Sequence, residues 1–244
     1  MSTSGEQQGT AGPAADRAAD AGSSWRSGAA VATLLIVALL GLASDLGSKW
    51  AAFRWVAGAP VVVDRGQVLD LSARGQHLGA LIPGHEPVHV VPSVLDLSLV
   101  LNRGAVFGIG AGKRWFFVGF TVLAIGFGLW MFGSWTRPRD RAAHVAIGLL
   151  LAGGLGNLYD RLVFACVRDF LHPLPGVQLP FGWRMPLDGG REIWPYVSNI
   201  ADLWLLVGIG VLMVQLWRGG HQEKRDGKRL SSPESGPHSS ATSG

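Results

Sequence analysis

Four long apolar runs, each close to the length a helix needs to cross a bilayer, constrain this chain more than any other feature. A helix covers the roughly 30 Å hydrocarbon core in about 20 residues. Backbone polar groups inside lipid must be satisfied within the protein, which leaves helices or closed barrels as spanning structures. The first run, Gly28 to Phe53, opens with AAVATLLIVALLGLA and is then interrupted by Asp45 and Lys49. The second, Trp115 to Trp135, is uncharged and has Trp at both ends, which suits an interfacial aromatic belt. The third, Ala142 to Phe164, holds no Asp, Glu, Lys or Arg before Asp160, and the fourth, Val197 to Trp217, carries one charge, Asp202. The expected fold class is a membrane all-α protein with four transmembrane helices.

The segments between the runs complete the organisation. Residues 1–27 are rich in Ala, Gly, Ser, Asp and Gln and bury too little apolar surface to order themselves, so they read as a cytoplasmic tail. An early apolar run also suits a cleaved signal peptide, but the long polar leader and the lack of a convincing cleavage site favour a retained helix. The domain is expected over 28–217, with outer loops at 54–114 and 165–196 and a basic disordered tail over 218–244. In the first loop VLDLSLVLN places Leu95, Leu97, Leu99 and Leu101 on one side of a strand, and VVVDRGQVLDL also looks strand-like. The loop is therefore expected to form a small extracytoplasmic β-sheet on the membrane surface. Arg137, Arg139 and Arg141 crowd the short loop after the second run, and a basic cluster follows the fourth. By the positive-inside rule both lie in the cytoplasm, so both termini are inside and both long loops outside.

Composition excludes several classes. Only 16% of residues are charged, against about 25% in soluble domains. The single cysteine, Cys166, excludes a disulfide framework within the chain, and the seven histidines show no metal-ligand spacing, so no metal is expected. The net charge of +4 reflects basic residues flanking apolar spans, where they set topology or meet anionic lipid, and nucleic acid is not an expected partner.

Ionisable groups within a bilayer are costly and point to function. Here they converge on one depth. The first span runs outward and puts Asp45 and Lys49 in its outer half; the third puts Asn157, Asp160 and Arg161 at its outer end; the fourth runs inward and puts Asn199 and Asp202 in its first turns. Asp45 and Lys49 are one helical turn apart, as are Asn157 with Asp160 and Arg161, and Asn199 with Asp202, so each set shares a helix face. The plain reading of Asp45–Lys49 is a structural ion pair, and that of Asp160–Arg161 an interfacial salt bridge tying helices together. His85, His89 and His172 sit in polar loops as solvated side chains, and Ser44, Ser48 and Ser198 lack a His or Lys partner that would make a nucleophile. Buried carboxylates also mark ion pathways, so a small transporter or proton-relay protein is the alternative. It predicts polar groups through the whole depth of the membrane, whereas the cytoplasmic half is nearly free of them.

DLGSK (Asp45 to Lys49), NRGAVFG (Asn102 to Gly108), GGLGNLYDR (Gly153 to Arg161), VRDF (Val167 to Phe170) and NIAD (Asn199 to Asp202) occur in that order. The set resembles the lipoprotein signal peptidases, the type II signal peptidases of bacterial membranes, across all four spans and both outer loops. The resemblance implies a membrane aspartic endopeptidase of the bacterial cytoplasmic membrane. It would remove the signal peptide of a diacylglyceryl-modified prolipoprotein just before the modified cysteine. The implied catalytic aspartates are Asp169 and Asp202. Asp45, Lys49, Asn102, Asn157, Asp160, Arg161 and Asn199 match the supporting polar cluster, and Asn102, Gly104, Ala105 and Phe107 the loop edging the substrate groove. The resemblance implies prolipoprotein and membrane lipid as partners, a monomeric enzyme, and no metal or organic cofactor. Relative to the family, the stretches from Lys49 to Asn102 and from Asp169 to Asp202 are long, and Ser198 stands where an aromatic is common.

Overall fold

In the computed structural model, residues 22–104, 114–184 and 190–230 are described, with side chains as far as residue 218. Ser27 caps the first long helix, its side chain accepting from Ala30 N at 3.3 Å, and α1 then runs Gly28–Trp55. Asp64 caps a short second helix, α2 (Arg65–Ala73), by accepting from Gln67 N at 2.9 Å. This overturns the strand-like reading of VVVDRGQVLDL. An Asp followed three residues later by Gln is a helix start, Arg74 pairs one turn back with Asp70 at 2.9 Å, and Gly75 at φ +68° closes the segment.

Strand β1 (Val88–Val91) pairs antiparallel with β2 (Leu95–Asn102), and β2 pairs antiparallel on its other side with β3 (Val167–Pro173). The long first loop therefore supplies two strands of the sheet. The third follows the third long helix, and Asp169 stands on that strand, opposite Val100, not in a loop. Leu99 and Leu101 are buried as alternation requires, and a bulge between Leu97 and Val100 interrupts the pattern. The remaining helices are α3 (Arg114–Ser134), α4 (Arg141–Val163) and α5 (Ile200–Leu230). Helix α5 continues past the expected end at Trp217. Among the described residues four helices, α1, α3, α4 and the Ile200–Arg218 part of α5, are long and apolar enough to cross a membrane.

Helix α4 is the central element, packed against α1, α3 and α5. Its sequence permits this because the contacting face is made of small residues. A Cβ at Gly153 would lie 2.4 Å from Ala201 O, and one at Gly156 would lie 2.2 Å from Asp45 Oδ2. Inside a membrane, where apolar transfer does not drive helices together, such close backbone approach supplies the packing. Helix α3 shows the opposite pattern: Trp115, Val122, Leu123 and Trp130 all remain exposed, a surface for lipid.

Two apolar clusters divide the buried volume. One, around Leu34, Phe132, Ile147 and Leu212, fills the bundle away from the sheet. The other, around Phe53, Val68, Leu99, Leu101 and Phe170, roofs it at the sheet end. Between them lies a layer of fully buried Asp45, Lys49, Asp160 and Asn199. A short 3-10 turn, Ser24–Arg26, closes the far end, where the buried side chains of Ser24, Thr136 and His144 meet.

The tight α1–α4 crossing makes a direct prediction. Gly156→Ala drives a methyl group into the Asp45 carboxylate and is expected to destabilise the fold by about 1–3 kcal/mol, as overpacking does. Thermal unfolding in detergent measures it; an unchanged midpoint would mean that α1 and α4 do not approach this closely.

Candidate active site

The buried layer is organised around one ammonium group. Lys49 Nζ donates to Asp45 Oδ2 at 2.8 Å and to Asn157 Oδ1 at 3.1 Å, and lies 3.4 Å from Asp160 Oδ2. Each carboxylate then uses further oxygens on a different element. Asp45 Oδ1 accepts from Ala201 N at 2.8 Å, holding the first turn of α5. Asp160 accepts from Arg168 N at 2.9 Å and from its guanidinium at 2.8 and 3.2 Å, holding β3. The expected Asp160–Arg161 bridge is not what forms. Arg161 leans the other way, to Asn157 O at 3.2 Å and Gly104 O at 3.4 Å, with its guanidinium over the Phe117 ring.

Arg168 is thus the partner that the motif reading missed. Its signal was strand alternation: neighbours on a strand point to opposite faces, so Arg168 reaches Asp160 while Asp169 faces the other way. The chain is steered into β3 by Ala165, which takes a left-handed conformation at φ +64° directly after α4. That conformation costs an ordinary residue about 1 kcal/mol or more, and burial of Ala165, Cys166 and Val167 against the roof cluster holds it. Burial also pushes the Cys166 thiol up to about 12, so it stays protonated and inert.

Asp169 and Asp202 are brought to one place by three asparagines. Asp169 Oδ1 accepts from Asn199 Nδ2 at 2.5 Å and Oδ2 from Asn102 Nδ2 at 3.0 Å. Asp202 Oδ1 accepts from Asn157 Nδ2 at 2.8 Å. Asn199 and Asp202 also form a reciprocal cap at the start of α5: Asp202 N donates to Asn199 Oδ1 at 3.1 Å, and Asn199 N to Asp202 Oδ2 at 3.3 Å. NIAD is therefore a helix-start motif whose capping carboxylate also faces the site. Asn199 Nδ2 bridges to Asn157 Oδ1 at 3.2 Å, so the two carboxylates share one amide network. Gly104 N donates to Asn102 Oδ1 at 2.9 Å, fixing that amide's orientation. Ala105 and Phe107 lie outside the described residues.

Both aspartates line one cavity of about 670 Å³ between α3, α4 and α5. The polar wall holds Asn102, Asn157, Arg161, Asp169 and Asp202; apart from Thr121 and Gly104 the remainder is apolar, from Phe117 and Phe120 down to Ile147 and Leu212. From Asp202 to Leu212 the helix rises about 15 Å, so the cavity reaches well into the span. Asp169 is 1% exposed. Burial first, then the neighbouring Asp202 charge, pushes its carboxyl up to about 7, against the opposing hydrogen bonds from Asn199 and Asn102. Among the described residues no three His, Cys, Asp or Glu side chains gather as metal ligands. His89 lies at 2.7 Å from Asp96 on the sheet, and His85 accepts from Leu99 N at 3.3 Å.

The sequence model described as signal peptidase (SPase) II matches residues 37–218, from the middle of α1 through the membrane part of α5. The chain belongs to the signal peptidase II family. It is therefore a member of a family of bacterial membrane peptidases. A lipoprotein signal peptidase of Geobacillus kaustophilus is 31% identical over 173 residues, spanning 71% of this chain and 97% of that one. Another, from Desulfitobacterium hafniense, is 32% identical over 153 residues, spanning 61% and 88%. A bacterial membrane enzyme solved in meso at 2.3 Å resolution shares the fold, with a TM-score of 0.52 at 24% identity over 77% of this chain and 89% of that one.

The buried layer depends on one cation, which can be tested without substrate. Lys49→Met leaves Asp45 and Asp160 facing each other's charge and is expected to cost about 3–5 kcal/mol of stability. Unfolding in detergent reads this directly; a loss under about 1 kcal/mol, the size of an exposed pair, would contradict the network.

Proposed function

We propose that this chain is an aspartic endopeptidase that removes the signal peptide from diacylglyceryl-modified prolipoproteins, cutting just before the lipid-modified cysteine. The supporting observation is the placement of Asp169 and Asp202, two carboxylates joined by one asparagine network, at the head of an apolar cavity running into the membrane.

The chemistry follows from that placement. Two neighbouring carboxylates share a proton, because ionising both together is unfavourable. The titration belongs to the pair. The deprotonated member takes a proton from water as it attacks the scissile carbonyl; the protonated member donates to the carbonyl oxygen. On collapse of the tetrahedral intermediate the C–N bond breaks, the proton passes to the leaving amine, and the dyad returns to its singly protonated state. Asn102, Asn157 and Asn199 hold the carboxylates in register, and Arg161, between Gly104 O and the Phe117 face, stiffens the rim of the cavity. The reaction needs no metal or organic cofactor.

The same reading places the chain in the cytoplasmic membrane with both termini inside and the sheet end at the outer face. Arg137, Arg139 and Arg141 at the opposite end support that orientation. Water reaches the dyad at the interface while acyl chains and the apolar signal segment remain in lipid or in the cavity. The enzyme acts as a monomer on prolipoprotein substrates. A proton-relay function is disfavoured because the buried polar trio at the far end, Ser24, Thr136 and His144, is separated from the charged layer by the Leu34, Ile147 and Leu151 cluster.

Purified protein in detergent should cleave a diacylglyceryl-modified prolipoprotein peptide. Asp169→Asn and Asp202→Asn are each expected to lower the rate at least about 10²-fold, as loss of a positioned acid or base does. Retained turnover in either variant, with a folded protein, would remove that residue from catalysis.

A further inference from the structure

A second cavity, of about 250 Å³, shares no lining residue with the first. Its walls come from the last turns of α1 (Trp50, Phe53, Arg54), the segment before α2 (Val62) and the α4–β3 corner (Phe164, Arg168). None of its lining residues is acidic. The signal peptidase reading leaves this cavity without a role.

Its charge is not neutralised from within. Lys49, Asp45, Asp160 and Arg168 form a buried set of two cations and two anions and cancel among themselves. Arg54 is exposed and forms no ion pair among the described residues, so its guanidinium at the cavity wall is free to meet an anion. The depth is also defined. Trp50 and Trp55 are both about 60% exposed where α1 ends, at 59% and 64%, and exposed tryptophans at the end of a spanning helix mark the headgroup level. Beside them Val62 is 82% exposed, an apolar residue facing the same level. The inner wall is aromatic, with the Arg168 guanidinium 4.2 Å from the Phe164 ring centroid and 6.0 Å from that of Phe53.

From these features we infer that this cavity is a binding site for the headgroup of an anionic phospholipid. The phosphate would meet the Arg54 guanidinium at the mouth, the glycerol portion would fill the cavity, and the acyl chains would lie along exposed Trp50. Pockets that engulf a drug-sized ligand run to about 300–1,000 Å³. This one is smaller, which suits a headgroup whose tails stay in the bilayer. The cavity wall also contains Arg168, one residue before Asp169, so an occupant would rest against the strand that carries a dyad aspartate.

The test uses the full chain in nanodiscs made from equal phosphatidylcholine and phosphatidylglycerol, followed by native mass spectrometry of the retained lipid. Wild type is expected to keep phosphatidylglycerol in preference to phosphatidylcholine. Arg54→Gln is expected to reduce that preference about fivefold, the effect of one basic residue at an anionic surface. Val62→Glu, which puts a carboxylate at the mouth, should do the same. Arg74→Gln, which removes an exposed arginine paired with Asp70, should leave the preference unchanged. Equal loss in all three variants would reduce the effect to general surface charge and overturn the site. No preference in wild type would overturn it as well. Displacement of the lipid by millimolar inorganic phosphate would reassign the cavity to a soluble anion and overturn the lipid proposal. None of these readouts requires peptidase activity, so the inference fails or stands apart from the functional reading.

Discussion

The ammonium of Lys49 is completely buried, and the structure is arranged around the need to neutralise it. An unpaired charge in so apolar a setting costs several kcal/mol, and here three oxygens from α1 and α4 meet it. The two carboxylates that do so each hold one further element by a backbone amide: Asp45 holds Ala201 N, and Asp160 holds Arg168 N. Asp202 follows Ala201, and Asp169 follows Arg168. Each dyad residue is thus the chain neighbour of an amide anchored to the same buried cation. Two segments far apart in sequence are brought into register without touching Lys49 themselves.

This economy explains how two carboxylates from distant segments can be held rigidly at the sheet end of the bundle. The α5 start is held by its own reciprocal cap and by Asp45, and β3 by its pairing with β2 and by Asp160. The asparagines supply the remaining precision: Asn102 and Asn199 donate to Asp169, Asn157 donates to Asp202, and Asn199 also donates to Asn157. Small residues on α4 make the arrangement possible, since a side chain at Gly156 would occupy the space of the Asp45 carboxylate.

Much of this was legible in the sequence because bilayers impose strong patterns. The four spans follow from hydropathy, the Asp45–Lys49 pair from one-turn spacing, and the convergence of polar groups from counting spans. The unread parts are those decided by contacts between distant segments or by a single cap. Asp64 turned a valine-rich, strand-like stretch into a helix start. The pairing of β2 with β3 crosses two helices, and no local alternation announces it, so Asp169 read as a loop residue. Asp160 and Arg161 are adjacent and opposite in charge, yet adjacent residues on a helix point apart. Asp160 found Arg168 instead, around a corner that depends on the left-handed turn at Ala165.

The central claim is that Asp169 and Asp202 work as a singly protonated pair, and the pH dependence of kcat/KM for a prolipoprotein peptide tests it most directly. Burial and the Asp202 charge raise the Asp169 carboxyl to about 7, so the required proton is present below that pH and lost above it. The account predicts a rate that falls about tenfold per pH unit on the alkaline side of roughly pH 7. A profile that stays level from about pH 6 to 9 would mean that no carboxyl of raised pKa takes part, and would contradict the dyad.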